Sequence, residues 1–166
     1  MLPRELEEKI EYVYQAIKKA NMTSNINSNS INSVFETLVA TIPTSILEMG
    51  VFSFVRSSTE NNQPSIEISI LTKDYIIHNL VCQNERNLYE YFQLSPTTLI
   101  SLATYYQTAE DNSSYSDTPY RAELGFHEGR AKLIYSAEGD RRVVKSLINY
   151  AQKCLTAIHE LKDGEK

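Results

Sequence analysis

Residues 120–138, YRAELGFHEGRAKLIYSAE, decide the fold class. Tyr120, Ala122, Leu124 and Phe126 alternate with Arg121, Glu123 and Gly125, and Ala131, Leu133 and Tyr135 alternate after a turn at His127-Glu128-Gly129. Successive side chains leave a strand on opposite sides, so a period of two marks a strand with one buried face. Two such runs across a short turn containing glycine predict an antiparallel hairpin. Further on, Gly139-Asp140 caps a last helix over 141–162. Its main stripe is Val144, Leu147, Ile148, Ala151, Leu155 and Ile158, widened by Val143, Cys154 and Leu161.

Upstream lies a second hairpin. Val51–Ser58 is rich in β-formers, and Ser65–Leu71 sets Ile66, Ile68 and Ile70 on one face and Glu67 and Ser69 on the other. The intervening ENNQP is turn chemistry. Residues 75–82, YIIHNLVC, fit a strand or a helix capped by Asp74, and their β-branched and aromatic content favours a third strand. Asn84–Leu94 reads as a helix with Leu88, Tyr89 and Phe92 on one side. Ser95-Pro96 opens another with Leu99, Leu102, Ala103 and Tyr106 inward.

At the start, Leu6, Ile10, Val13 and Ile17 form one stripe of an amphipathic helix over 3–20. NMTSNINSNS, residues 21–30, reads as a polar linker, either tethering a semi-detached arm or, preferably, joining two packed helices. Ser30 or Ser33 caps the next helix, with Glu36 completing a capping box after Ser33. Val34, Phe35, Leu38, Val39 and Ile42 are its buried face, and Pro43 ends it.

The expected architecture is α+β: a mainly antiparallel sheet of four to five strands in two hairpins, with N-terminal, central and C-terminal helices packed on it. The chain divides into an N-terminal helix over 1–20, the linker over 21–30, a single α+β domain over 31–162 and a disordered tail over 163–166. This order of elements is similar to that of type III secretion chaperones and roadblock-type regulatory proteins, with no shared motif, and fold alone does not assign function.

The chain has 166 residues, 42% hydrophobic and 22% charged, enough to build a core without disulfide staples. Its net charge is −5, and residues 21–110 account for all of it, with Arg56, Lys73 and Arg86 against eight carboxylates. An acidic, sparsely charged middle is a poor partner for phosphate backbones, so no nucleic-acid binding is expected. The apolar runs are too short for a bilayer span, so no membrane association is expected either. Cys82 and Cys154 lack CxxC spacing and read as reduced thiols of a cytoplasmic protein, with a bridge between them left open.

Chemistry-bearing patterns are missing. The histidines, His78, His127 and His159, make neither HxxxH nor HExxH, so no metal site is expected. With five glycines and no GxSxG, Walker A or GxGxxG, no catalytic residue and no cofactor is assigned. The compositional excess is tyrosine, eleven against five Phe and no Trp, and tyrosine suits interfaces. Candidate binding residues are Tyr89, Tyr105, Tyr106, Tyr115 and Tyr120, then His127, Glu128 and Arg130 around the hairpin turn. Arg141 and Arg142 join them, because cations at a helix start are disfavoured unless they meet an anion or a partner. The expected function is that of a small non-catalytic protein that binds another protein as an adaptor or chaperone, and that forms a homodimer through helical surfaces. Two alternatives stand beside it: a small hydrolase or transferase with dispersed residues such as His127, Glu128, Arg130 and Asp140, and an acidic immunity-like or regulatory inhibitor.

Overall fold

A computed structural model describes residues 8, 10–41, 52–60, 62–72, 74–82, 88–106 and 119–164. The fold is α+β, and the chain forms two compact units, Met1–Phe92 and Gln93–Lys166. Seven strands and three helices are seen among the described residues.

The first unit contains helices α1 (Glu11–Ser24) and α2 (Ser28–Thr41), then β1 (Phe52–Glu60), β2 (Gln63–Leu71), β3 (Tyr75–Cys82) and β4 (Leu88–Gln93) in the sheet order β1-β2-β3-β4. The β1–β2 hairpin is tight, with Glu60 opposite Gln63 and Asn62 at φ +63. Across it Arg56 Nε donates to Glu67 Oε1 at 3.0 Å. Ile66, Ile68 and Ile70 share one face with Ile77 and Val81 of β3. Ile10, Val13, Tyr14 and Ile17 from α1 and its edge, and Ile31, Val34, Phe35 and Leu38 from α2, complete this core. Each fully buried isoleucine contributes about 1.5–3 kcal/mol. On the opposite face Phe54, Leu71, Ile76 and Cys82 are also buried.

The stretch 21–30 is a packed connection and not a flexible linker. Helix α1 runs on to Ser24, Asn25 turns the chain at φ +54, and Ile26 is buried. Asn21 holds the turn through its side-chain amide: Nδ2 donates to the Ile26 carbonyl at 2.9 Å and Oδ1 accepts from the Ile26 N–H at 2.6 Å. The Ser24 hydroxyl donates to the Ser65 carbonyl at 3.1 Å. Side chains that look like linker chemistry are here the groups that satisfy a buried turn. The cap of α2 is Asn27, whose Oδ1 accepts the Asn29 N–H at 2.8 Å, so Ser30 and Ser33 fall inside the helix. Leu6, Ile42 and Pro43 lie outside the described residues.

The second unit contains β5 (Leu99–Tyr105), β6 (Arg121–Glu128), β7 (Ala131–Glu138) and α3 (Arg141–Gly164), with sheet order β5-β6-β7. The hairpin turn is Gly129-Arg130, with Glu128 opposite Ala131 and Gly129 at φ +57, so His127 and Glu128 belong to the ladder. Asp140 caps α3 by accepting the Arg142 N–H at 2.9 Å. That helix includes Asp163 and Gly164 of the expected tail. Leu88–Gln93 and Leu99–Tyr105, expected to be central helices, are strands. Their apolar residues happen to recur at three- and four-residue spacings, but Tyr89, Tyr91, Phe92, Ile100, Thr104 and Tyr105 are strand formers, and pairing decides. The sheet count therefore rises to four plus three strands, and 75–82 is a strand as favoured.

Ala122, Leu124, Phe126, Tyr135 and Ala137 are buried beneath α3, which packs mainly on β6 and β7. The buried stripe of α3 is Val144, Leu147, Tyr150, Ala151, Cys154 and Ile158. Leu155, assigned inward from the sequence, is 42% exposed. Cys82 and Cys154 are buried and not joined in a disulfide, and burial pushes the Cys154 thiol up to about 12. Urea denaturation separates the two leucines: Leu147→Ala is expected to cost about 2–5 kcal/mol, and Leu155→Ala no more than about 0.5 kcal/mol.

His78 is buried on β3, and desolvation lowers its imidazole below the usual 6.5, against the raising influence of Glu67 and Glu90. The unfolded chain therefore binds this proton more tightly than the folded one, and stability falls as pH drops through the ordinary histidine range. Replacing His78 by Asn removes that component. From about pH 7.5 to about pH 5.5 the melting temperature of the natural chain is expected to fall further than that of His78→Asn. Parallel pH dependences would contradict the burial effect.

Candidate functional site

Glu90 and Glu110 bound nineteen residues without a charge, and β5, LISLATY, lies inside that stretch. One side of β5 pairs with β6 in an unbroken register from Leu99↔His127 to Tyr105↔Arg121. Among the described residues its other side is a sheet edge. Every residue from Ser101 to Tyr106 is exposed. Leu99 is 69% exposed, Leu102 41%, Tyr105 38% and Tyr106 54%. Proteins ordinarily blunt such an edge with lysine, proline, a bulge or extreme shortness. β5 carries none of these.

Two polar clusters tie the ends of β5 to β6. At its start the Glu128 carboxylate accepts hydroxyls from Ser95 at 2.9 Å, Thr97 at 2.7 Å and Thr98 at 2.8 Å. The same residues build the turn before β5: Thr98 N–H donates to the Ser95 carbonyl at 3.1 Å, and Ser95 N–H to Thr98 Oγ1 at 2.9 Å. These three hydroxyls hold the Glu128 carboxyl below its ordinary range. At the far end Tyr105 donates to Glu123 at 3.3 Å, Arg121 donates to the same carboxylate, and the Arg121 guanidinium lies 5.1 Å from the Tyr105 ring centre. The Tyr105 carbonyl accepts the Tyr120 N–H at 2.9 Å. Backbone groups alternate in direction along an antiparallel strand, so those of Ile100, Leu102 and Thr104 point to the free edge.

The sheet face opposite α3 is open. It carries Leu99, Ser101 and Tyr105 from β5, Arg121, Glu123 and His127 from β6, and Lys132, Ile134 and Ser136 from β7. Gly125 lies at its centre, where an added Cβ would stand 2.9 Å from Ser101 Oγ and 3.4 Å from His127 Nε2. The missing side chain makes room for both groups. His127 and Glu128 do not work as a pair, since neighbours on a strand point to opposite faces and Glu128 is engaged by the hydroxyls.

Tyr105 and Tyr120 thus meet at one end of the β5–β6 ladder, and His127 and Glu128 lie at the other. Tyr106 is exposed just beyond β5, and Arg130 is exposed in the hairpin turn. Arg141 and Arg142 are exposed in the first turn of α3. Tyr89 belongs to the first unit, half-buried against its core, with its ring 5.2 Å from that of Tyr91. Tyr115 lies outside the described residues. Leu99, Leu102, Ala103 and Tyr106, assigned inward on a helix from the sequence, are exposed, as is Ile134, which was not singled out. The uncharged run is the signal that points to the first two. Among the described residues no group of three or more His, Cys, Asp or Glu could hold a metal ion, and no helix is long and apolar enough to cross a membrane. Comparison with protein-family models, curated proteins and solved structures gave no match.

The Glu128 cluster makes a pH-dependent prediction. A carboxyl held low by hydrogen bonds stabilises the fold above its unfolded value, and the contribution is lost as pH falls through the folded value. Glu128→Gln is expected to lower the urea midpoint at neutral pH, and the gap from the natural chain should close below about pH 4. A gap independent of pH would mean that the charge is not what the hydroxyls recognise.

Proposed function

We propose that the chain is a non-catalytic protein-binding module, adaptor or chaperone-like, which engages a polypeptide along the free edge of β5. The single observation that carries this reading is an uncharged, unbulged edge strand that exposes Leu99, Leu102 and Tyr105. A strand laid along it would gain main-chain hydrogen bonds, each worth about 0.5–1.5 kcal/mol net. The exposed apolar side chains supply further area and a pattern to read. Left bare, the same edge is a template for indiscriminate pairing, so a dedicated partner relieves a liability as well as providing a function. The clusters at Glu128 and Glu123 support the reading because they preorganise the edge, which lowers the ordering cost of binding. Buried thiols at Cys82 and Cys154, not joined in a disulfide, accord with a reducing, cytoplasmic setting.

A photo-crosslinking residue at position 102 tests this in cells that make the chain, with the exposed position 145 on α3 as the control. Position 102 is expected to give discrete polypeptide adducts, identified by mass spectrometry, and position 145 none. No adduct at 102, or equal labelling at both positions, would overturn the reading.

A further inference from the structure

We infer that the polypeptide covering β5 is a second copy of this chain, paired antiparallel about a two-fold axis at Leu102, so that two three-stranded sheets join into one. The inference rests on the reading of β5 as a docking edge and names its occupant. The apolar pattern is symmetric about the proposed axis. Leu99 and Tyr105 lie equally far from Leu102 in sequence, so pairing centred there sets Leu99 of each copy opposite Tyr105 of the other, on the open face. On the α3 side Leu102 meets itself and Ile100 meets Thr104, while Ser101 meets Ala103 on the open face. Aliphatic–aromatic and apolar–β-branched pairs of this kind stabilise neighbouring strands.

The backbone selects the same register. Antiparallel strands bond through alternate residues, and the groups free to do so belong to Ile100, Leu102 and Thr104. An axis at Leu102 pairs 102 with 102 and 100 with 104, so every outward donor faces an outward acceptor. An axis at Ser101 would set Thr104 opposite Thr98, before β5 begins, and one at Ala103 would set Ile100 opposite Tyr106, beyond its end, so only the axis at Leu102 pairs all three outward residues within the strand.

Charge points the same way. In an isologous contact each side chain near the axis meets its own copy, so a charged edge would repel itself. β5 has no charge, and the nearest charged side chains on the open face, Arg121 and Glu123, already neutralise one another. An edge built to recognise a charged peptide would gain from a complementary charge. An edge built to meet itself gains from having none.

Light scattering on the purified full chain at tens of micromolar is expected to give twice the chain mass of 18.9 kDa. Leu102→Lys sets two ammonium groups face to face at the axis and is expected to return the mass to 18.9 kDa with the circular dichroism unchanged. The register has its own test, which does not depend on that variant folding. Mixed Ile100→Cys and Thr104→Cys chains should give a disulfide-linked pair on oxidation with diamide, whereas either chain alone should not; the native thiols are buried. A mass of 18.9 kDa for the natural chain at every concentration would overturn the second copy as occupant, as would cross-linking indifferent to position. Adducts at position 102 to a different polypeptide would then leave β5 standing as a docking edge, and no adduct at all would remove both proposals.

Discussion

One carboxylate ties the turn before β5 to β6. Glu128 gathers the hydroxyls of Ser95, Thr97 and Thr98, three groups from a single turn, and so anchors the start of β5 against the end of β6. Charged acceptors bind hydroxyls about twice as strongly as neutral ones. Without that anchor an uncharged strand facing solvent on both sides has little to hold it, because its own side chains bury almost nothing. Register is weakly specified in such strands unless something else fixes it. The Tyr105–Glu123–Arg121 cluster does the same at the other end. Exposure and rigidity therefore coexist in β5, a combination suited to a preformed binding edge.

Both hairpins and the class of the fold were legible because apolar and polar side chains alternate along their strands. Ile66, Ile68 and Ile70 announce a period of two, as do Ala122, Leu124 and Phe126, and all six are buried. The amphipathic stripe of α1 was legible for the same reason. What misled were segments whose environment does not alternate. β5 is exposed on both faces, so no burial pattern was imprinted on it, and the spacing of Leu99, Leu102 and Tyr106 passed for a helix face. β4 is short and its Tyr89 packs on the core, giving an equally ambiguous string.

The polar stretch 21–30 misled only in part, since a connection between two packed helices was the preferred reading. Composition suggested a solvated linker, whereas Asn21, Ser24 and Asn27 spend their polar groups on the backbone of a tight helical connection. Side chains that compete for backbone hydrogen bonds look alike in sequence whether they satisfy a buried turn or water. The candidate site was partly legible: Tyr105, Tyr120, His127 and Glu128 were singled out, though as recognition or acid–base groups. Geometry makes Glu128 a support of the edge, and the recognition surface proposed above is Leu99, Leu102 and Tyr105. The dimer expected through the helices is now proposed through a strand, and the wide stripe of α3 is narrower than it looked once Leu155 proves exposed.

Amide exchange measured residue by residue over a range of chain concentrations tests the central claim most directly. The N–H groups of Ser101, Ala103 and Tyr105 face β6 and should be protected throughout. Those of Ile100, Leu102 and Thr104 face the free edge and should be protected in concentrated solution and lose that protection on dilution. Outward amides that exchange freely at every concentration would contradict the pairing of β5 with a second copy.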